Sequence, residues 1–376
     1  MLWYCGFDAF LQFRQKPEQG IFLHSLGDLI LDDHDKIIQA FIGWCSLFLQ
    51  TAKGQIIFLG YSKQKRQNSM TVCSKVPKYI IQIECGSKET FLVTLDSKIY
   101  KWSGFNFEKT LPELIDFNEN TNNVDSANDQ SSNNHQDDKQ EKNINVEQVC
   151  IGAEYSCLIT DQHKAYLFDS TELRLIKPIS RENDQIISIS AGQEHILLLT
   201  DDGIVLSYGN GSRGQLGHGS ISNVVDDKAE IVEALEGIRF KAIVAGGWHS
   251  LALSEIGDVY VWGWNESGQL GFDRSMIKIE TIPKLLDISE DDHFIAIAAG
   301  SRHSMAVSEN GLLFGWGWNK YGQLGIDSTR IEFIDTPTVI PFDHRVSNVN
   351  CKFWSSLIET ENDSTPTDDN DEKNVS

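Results

Sequence analysis

The sequence predicts an all-β fold, a seven-bladed β-propeller whose ring is closed by pairing strands from its two ends. Three observations carry this. A two-part unit recurs along the chain. Each half has the apolar alternation of a strand. One unit is split, with its second half at the N-terminus and its first half near the C-terminus.

The unit is clearest in GGWHSLALSEIGDVYVWGWNESGQLG, from Gly246, and in GSRHSMAVSENGLLFGWGWNKYGQLG, from Gly300, fifty-four residues later. Its first half is a small residue, Gly, two variable residues and His, then apolar alternation. Clear copies contain Gly192, Gly246 and Gly300, with His195, His249 and His303 in register. Weaker copies lie at Cys85-Gly86, Gly152, Ile42 (IGWCSLFL) and Cys351 (CKFWSSLI). The second half is an aromatic-Gly run ending in Gly-Gln-Leu-Gly, at Gly209, Gly263 and Gly317. Weaker copies lie at Gly60, Ser103, Phe168 and, at the start of the chain, Gly6. Each half therefore occurs seven times. A ring gains from the split unit, because pairing the terminal strands removes two open sheet edges.

The local chemistry agrees. HSLALS and DVYVWGW alternate with period two, so each reads as a strand. SEIGDV and SENGLL place Gly at a tight hairpin turn. The spacing suits a four-stranded blade plus one loop, and no long segment has a helical period.

Composition narrows the class. The chain has 376 residues, 40% of them apolar, and a formal charge of −22. Residues 1–358 read as one propeller. Two stretches inside or beside it are rich in Asn, Asp and Ser: 118–145, with six acids and two bases, and 359–376, with seven acids and one base. Both are expected to be disordered, because they carry too few apolar residues to bury. Solvating linkers are the preferred reading of them, over acidic lures for histone tails or other basic partners. The densest basic stretch, Lys63, Lys65 and Arg66, reads as a solvated turn, so no direct grip on nucleic acid is expected. No apolar run is long enough for a membrane span, and the N-terminus lacks the pattern of a secretory signal. Seven Cys without a CxxC pair read as free thiols in a reducing compartment, packed as small hydrophobes. A monomer in the nucleus, and also the cytoplasm, is expected.

No residue set reads as catalytic, and no cofactor or metal is expected. His195, His249 and His303 could ring a channel around a metal, but the other copies hold Cys45, Glu89, Tyr155 and Ser355 at that place. The preferred reading is that each His fixes backbone within its own blade. The Gly-rich WGWNESGQLG precedes no helix and lacks GK[ST], so it is not a phosphate loop. The nine Trp all lie in repeat units, and core packing is the preferred account of them. Partner recognition should fall on what differs between copies. The candidates are the loop tips Ser212-Arg213, Glu266-Ser267 and Lys320-Tyr321, and the blade-start residues Trp248 and Arg302.

AGGWHS, WGWNESGQLG, GSRHS and WGWNKYGQLG closely resemble the signature of the regulator of chromosome condensation repeat family. The resemblance is strong from Ile186 to Asp327 and decayed over residues 1–103 and 346–358. Trp3-Tyr4-Cys5-Gly6-Phe7 also resembles the opening of a small single-propeller member. That resemblance implies a non-enzymatic scaffold in the nucleus, acting in chromatin regulation and mitosis with a JmjC-domain oxygenase that modifies histones or other proteins. The family's founding member exchanges nucleotide on the small GTPase Ran and docks on nucleosomes, so exchange on a Ran-like GTPase is the alternative. No exchange residues are carried over. A sister family, the plant ultraviolet-B photoreceptors, uses clustered Trp and a Gly-Trp-Arg-His-Thr signature that is missing here; the nearest stretch is Gly247-Trp248-His249.

Overall fold

Seven four-stranded antiparallel sheets surround a central channel in the computed structural model. It describes residues 1–6, 24–26, 35–43, 46–62, 67–73, 76–86, 89–103, 110–115, 145–169, 174–225, 228–288 and 293–361. In every blade the first half of the sequence unit carries the end of the innermost strand and supplies the second. The second half supplies the third, and its trailing loop leads to the fourth. Blade five shows the plan with Phe240–Ala245, His249–Ser254, Val259–Trp264 and Ile279–Leu285. Blade four (from Ile186) and blade six (from Phe294) repeat it, and so do the decayed blades one to three, which begin at Ile37, Ile80 and Val146. Helix is confined to one 3-10 turn, Glu233–Leu235, among the described residues.

Blade seven closes the ring. Its inner strands, Val346–Lys352 and Ser355–Thr360, come from the end of the chain, and its outer strands, Leu2–Gly6 and His24–Ser25, from the beginning. The register runs from Leu2 opposite Glu359 to Gly6 opposite Ser355. The sheet thus extends through Thr360, two residues into the stretch read as an acidic tail. Residues 362–376, residues 116–144, the Lys63–Arg66 turn, Phe7, Trp44 and Cys45 lie outside the described residues.

One sequence expectation is modified. HSLALS alternates in sequence, yet all six residues of the strand His249–Ser254 are buried. A blade is covered by a neighbour on each side, so both faces of its second strand lose water. The strand's apolar residues pack, His249 and Ser250 hydrogen-bond between blades, and Ser254 accepts from Asp258 N within the hairpin.

The channel wall is finished by side chains that imitate backbone. Gln82 of blade two donates to Val149 O (2.7 Å) and accepts from Val149 N (3.0 Å) of blade three. Gln148 of blade three treats Ile189 of blade four the same way. Glu84 accepts from Ile151 N and pairs with Lys352, which tethers blade two to blade seven past the blade between them. These contacts satisfy part of the free edge each inner strand turns to the channel. The six described Cys are buried and form no disulfide with one another. Burial pushes the Cys351 thiol up to about 12 and raises those of Cys5 and Cys150 as well, so they pack rather than react.

Candidate interaction face

Adjacent strands alternate in direction, so the Gly-x-x-His turns and the Gly-Gln-Leu-Gly loops emerge at the same end of the propeller. The repeated residues build a rigid base there. His195 Nε2 meets Ser250 Oγ, His249 Nε2 meets Ser304 Oγ and His303 Nε2 meets Ser356 Oγ, each at 2.9 Å. Each Ser belongs to the next blade. This corrects the expectation that the His acts within its own blade. The three hydroxyls donate to the carbonyls of Gln215, Gln269 and Gln323 at 2.8 Å. A hydroxyl has one proton, so it must accept from the imidazole, and Nε2 carries the hydrogen. Trp262 and Trp316 donate to the first two of those carbonyls. The sequence signal was present but unread. His195-Ile196 supplies only the His, His249-Ser250 and His303-Ser304 supply both partners, and Ser355-Ser356 supplies only the Ser. The run of dipeptides spells out a chain of contacts from blade four to blade seven.

Burial lowers all three imidazoles to about 3, with the neighbouring His195 and His303 adding to the effect at His249. They remain neutral at physiological pH. Their Nε2 atoms are committed to Ser, and no cluster of three or more metal-ligating side chains occurs among the described residues.

The repeated glycines fit this base. A Cβ on Gly246 would lie 2.1 Å from the ring of His249, and one on Gly300 equally close to His303. Gly209, Gly263 and Gly317 have φ of 118°, 105° and 98°, and a Cβ there would strike the backbone of the preceding turn. The Gly-Gln-Leu-Gly loops are held from within. Asn265 bonds Leu270 N, Phe272 O and Ile277 O, and Asn319 repeats the pattern in blade six.

Above this base the variable residues form a row of stacked rings and guanidinium groups. The Arg213 guanidinium lies 4.7 Å from the Trp248 ring and 5.3 Å from Trp264. Arg302 lies 4.8 Å from Trp264 and 5.7 Å from Trp318. Trp248 meets Trp264 edge-on at 5.5 Å, and Trp318 meets Trp354 of blade seven at 5.2 Å. Tyr321 packs on Trp318 and Trp354. Glu194 pairs with Arg213 at 3.7 Å, and Glu332 accepts from Trp318 Nε1 at 3.4 Å. The indoles are half-buried, while Tyr321, Lys320, Glu266 and Ser212 are exposed.

The structure therefore brings Arg213, Trp248, Arg302 and Tyr321 of the sequence candidates into one row, with Glu266 and Lys320 on its flanking loop tips. Ser267 is corrected: it is buried, and its N–H bonds Gln269 Oε1, so it is part of the loop's frame. Trp264, Trp318 and Trp354 were missed. Core packing accounts for Trp102, Trp262 and Trp316, which are fully buried, but not for these three. The available signal was the second aromatic of WGW, which blade four replaces with Asn in YGN.

Comparison with known proteins places the chain. The RCC1-like domain model matches residues 75–365. RCC1 domain-containing protein 1 of Mus musculus is 35% identical over 213 residues, covering 46% of this chain and 55% of the relative. The Homo sapiens protein of that name is 34% identical over 210 residues, covering 45% and 55%. The chain thus spans about half the length of the curated relatives it matches. Among solved structures, yeast RCC1 (Prp20) bound to Kap60 superposes with a TM-score of 0.72 at 16% identity, covering 96% of this chain and 89% of that one. Human WBSCR16 gives 0.69 at 18%, covering 96% and 98%. These structural likenesses establish the fold. With its seven blades, its terminal-strand closure and the match over residues 75–365, this chain belongs to the RCC1-like domain family.

Proposed function

We propose that this chain is a non-enzymatic protein-interaction scaffold of the nucleus, whose partner is a JmjC-type oxygenase acting in chromatin regulation and mitosis. The observation that carries the binding role is the row from Arg213 to Trp354, aromatic rings and guanidinium groups fixed on a rigid base at one end of the propeller. Half-exposed Trp, Tyr and Arg at the centre of a rigid face are the residues that usually dominate interfaces. The similarity to RCC1 domain-containing protein 1 supports the choice of relatives from which the nuclear role is drawn. Alanine at Trp248, Arg302, Lys320 and Tyr321 together should weaken capture of the oxygenase at least a hundredfold, while leaving the unfolding midpoint near that of the parent. Isothermal titration with the purified oxygenase reads the first, and urea unfolding the second. Undiminished capture by that variant sinks the assignment of the face.

A second reading has its own support. A yeast relative by fold, Prp20p, was characterised for its binding to Gsp1p and histones. Exchange on a Ran-like GTPase needs no acid, base or metal from the exchange factor. Release of labelled GDP from Ran should stay at its intrinsic rate with catalytic amounts of this chain. A tenfold or greater acceleration would make exchange the working function instead.

A further inference from the structure

One cation in the row has unfinished bonding. Among the described residues Arg213, Arg239, Arg274, Arg330 and Arg345 are ion-paired, with Glu194, Glu255, Asp335, Asp327 and Glu361. The Arg302 side chain lies between Trp264 and Trp318 and makes no hydrogen bond or ion pair among the described residues; its Nε is buried without an acceptor. Trp248, edge-on to the same Trp264, likewise buries its Nε1 without an acceptor. A buried donor without a partner is costly, and the two terminal nitrogens of the Arg302 guanidinium are not buried in this way, so they are the atoms a ligand can reach.

We infer that Arg302 is the anchor of this face and that it takes a carboxylate, the Asp or Glu side chain of an acidic segment in the partner; this rests on the interaction-face reading above. Two indoles have already stripped water from the guanidinium plane, and its planar fork matches a carboxylate in two parallel hydrogen bonds. The rest of the chain argues for a single acid rather than a polyanion. The formal charge is −22, and Glu266 and Glu332 stand on the loops to either side. A phosphodiester backbone would meet these acids without the clustered Lys and Arg that hold it elsewhere. An acidic residue flanked by apolar or basic ones would meet Arg302 at its centre and Glu266 and Glu332 at its edges.

The full chain, labelled with nitrogen-15, would be titrated with Ac-Gly-Leu-Glu-Leu-Gly-NH2, with its amide analogue Ac-Gly-Leu-Gln-Leu-Gly-NH2 and with dimethyl phosphate. The Trp248 indole N–H and the Arg302 Nε–H are read by NMR, assigned from Trp248→Phe and Arg302→Gln. The acidic peptide should shift both resonances saturably at millimolar concentration, and the amide analogue should not. Arg302→Gln should abolish the Trp248 shift while keeping the parent's unfolding midpoint, and Arg302→Lys should weaken binding several-fold, because the charge remains but the fork is lost. No saturable shift, an equal shift with the amide analogue, or an unchanged Trp248 shift in Arg302→Gln each overturns the inference. Tighter binding of dimethyl phosphate overturns it in favour of a phosphate ligand. The two readings fail separately. If the fourfold alanine variant loses the oxygenase while Arg302→Gln still binds the acidic peptide, the face stands and its anchor is misassigned. If the fourfold variant keeps the oxygenase, the face itself is wrong.

Discussion

Lowering the pH from 7 to 5.5 should remove about 4 kcal/mol of folding stability, read as the urea-unfolding free energy at each pH. The cause is the set of three imidazoles between blades four and seven. In the folded state burial holds His195, His249 and His303 at about 3. In the unfolded chain they titrate at about 6.5. The folded values are depressed, so below pH 6.5 the unfolded chain binds three protons that the folded chain refuses. Stability is therefore full above that pH and is lost as pH falls towards 3. Each histidine contributes about 1.3 kcal/mol over this interval, at pH values above the range where ordinary carboxylates titrate. Domains have about 5–15 kcal/mol in total, so the loss is large. His249→Gln should lower stability at pH 7, since Ser304 loses its imidazole partner, yet reduce the pH slope by about one third. A wild-type stability that is flat from pH 7 to 5.5 would show that the rings titrate normally and that the buried relay is misread.

Gly192→Ala should cost about 3 kcal/mol or more, although Ala is the mildest replacement available. The added Cβ would lie 2.4 Å from Gly246 O, a backbone atom of the next blade, and 2.4 Å from the ring of His195. Neither can retreat easily. The His195 ring is held by Ser250, and the backbone of the next turn is fixed because Gln193 N bonds Gly247 O at 2.9 Å. Gly54 serves as the control. Nothing lies within 4 Å of a Cβ placed there, so Gly54→Ala meets only the strain of its positive φ. Comparing the urea midpoints of the two variants isolates the seam between blades four and five. Equal midpoints would mean that the seam yields to a methyl group, and the rigid-base account would fall.

The blade count and the closure could be read from the sequence because both depend on Gly and on period-two alternation. These are backbone requirements that leave marks at fixed spacing. Even the worn copies at Gly60, Ser103 and Phe168 supply the third strands of their blades. The partner of each His was harder, because Ser250, Ser304 and Ser356 lie fifty-five, fifty-five and fifty-three residues away. Reading that contact required asking which blade faces which. The stacked row was partly visible. Arg213, Trp248, Arg302 and Tyr321 differ between copies and so attracted notice, whereas Trp264 and Trp318 occur in both strong copies and were taken for frame. Sequence comparison between repeats separates the constant from the variable. It does not separate a constant residue that packs, such as Trp262, from one two positions on that faces outwards, such as Trp264.

The closure of the ring has a consequence for how the molecule is made. Leu2–Gly6 pairs on its outer edge with the nearby His24–Ser25, but on its inner edge its neighbour is Ser355–Thr360. On the ribosome the first strand therefore emerges more than three hundred residues before the strand it needs. Until then its backbone edge is open, and the nascent ring is an arc with two unpaired ends. Blades four to six, whose strands are all local, can form while the chain is still tethered. Closing the ring joins two segments far apart in the chain, and a ribosome that stalls before Thr360 leaves an arc exposed to other chains and to proteases.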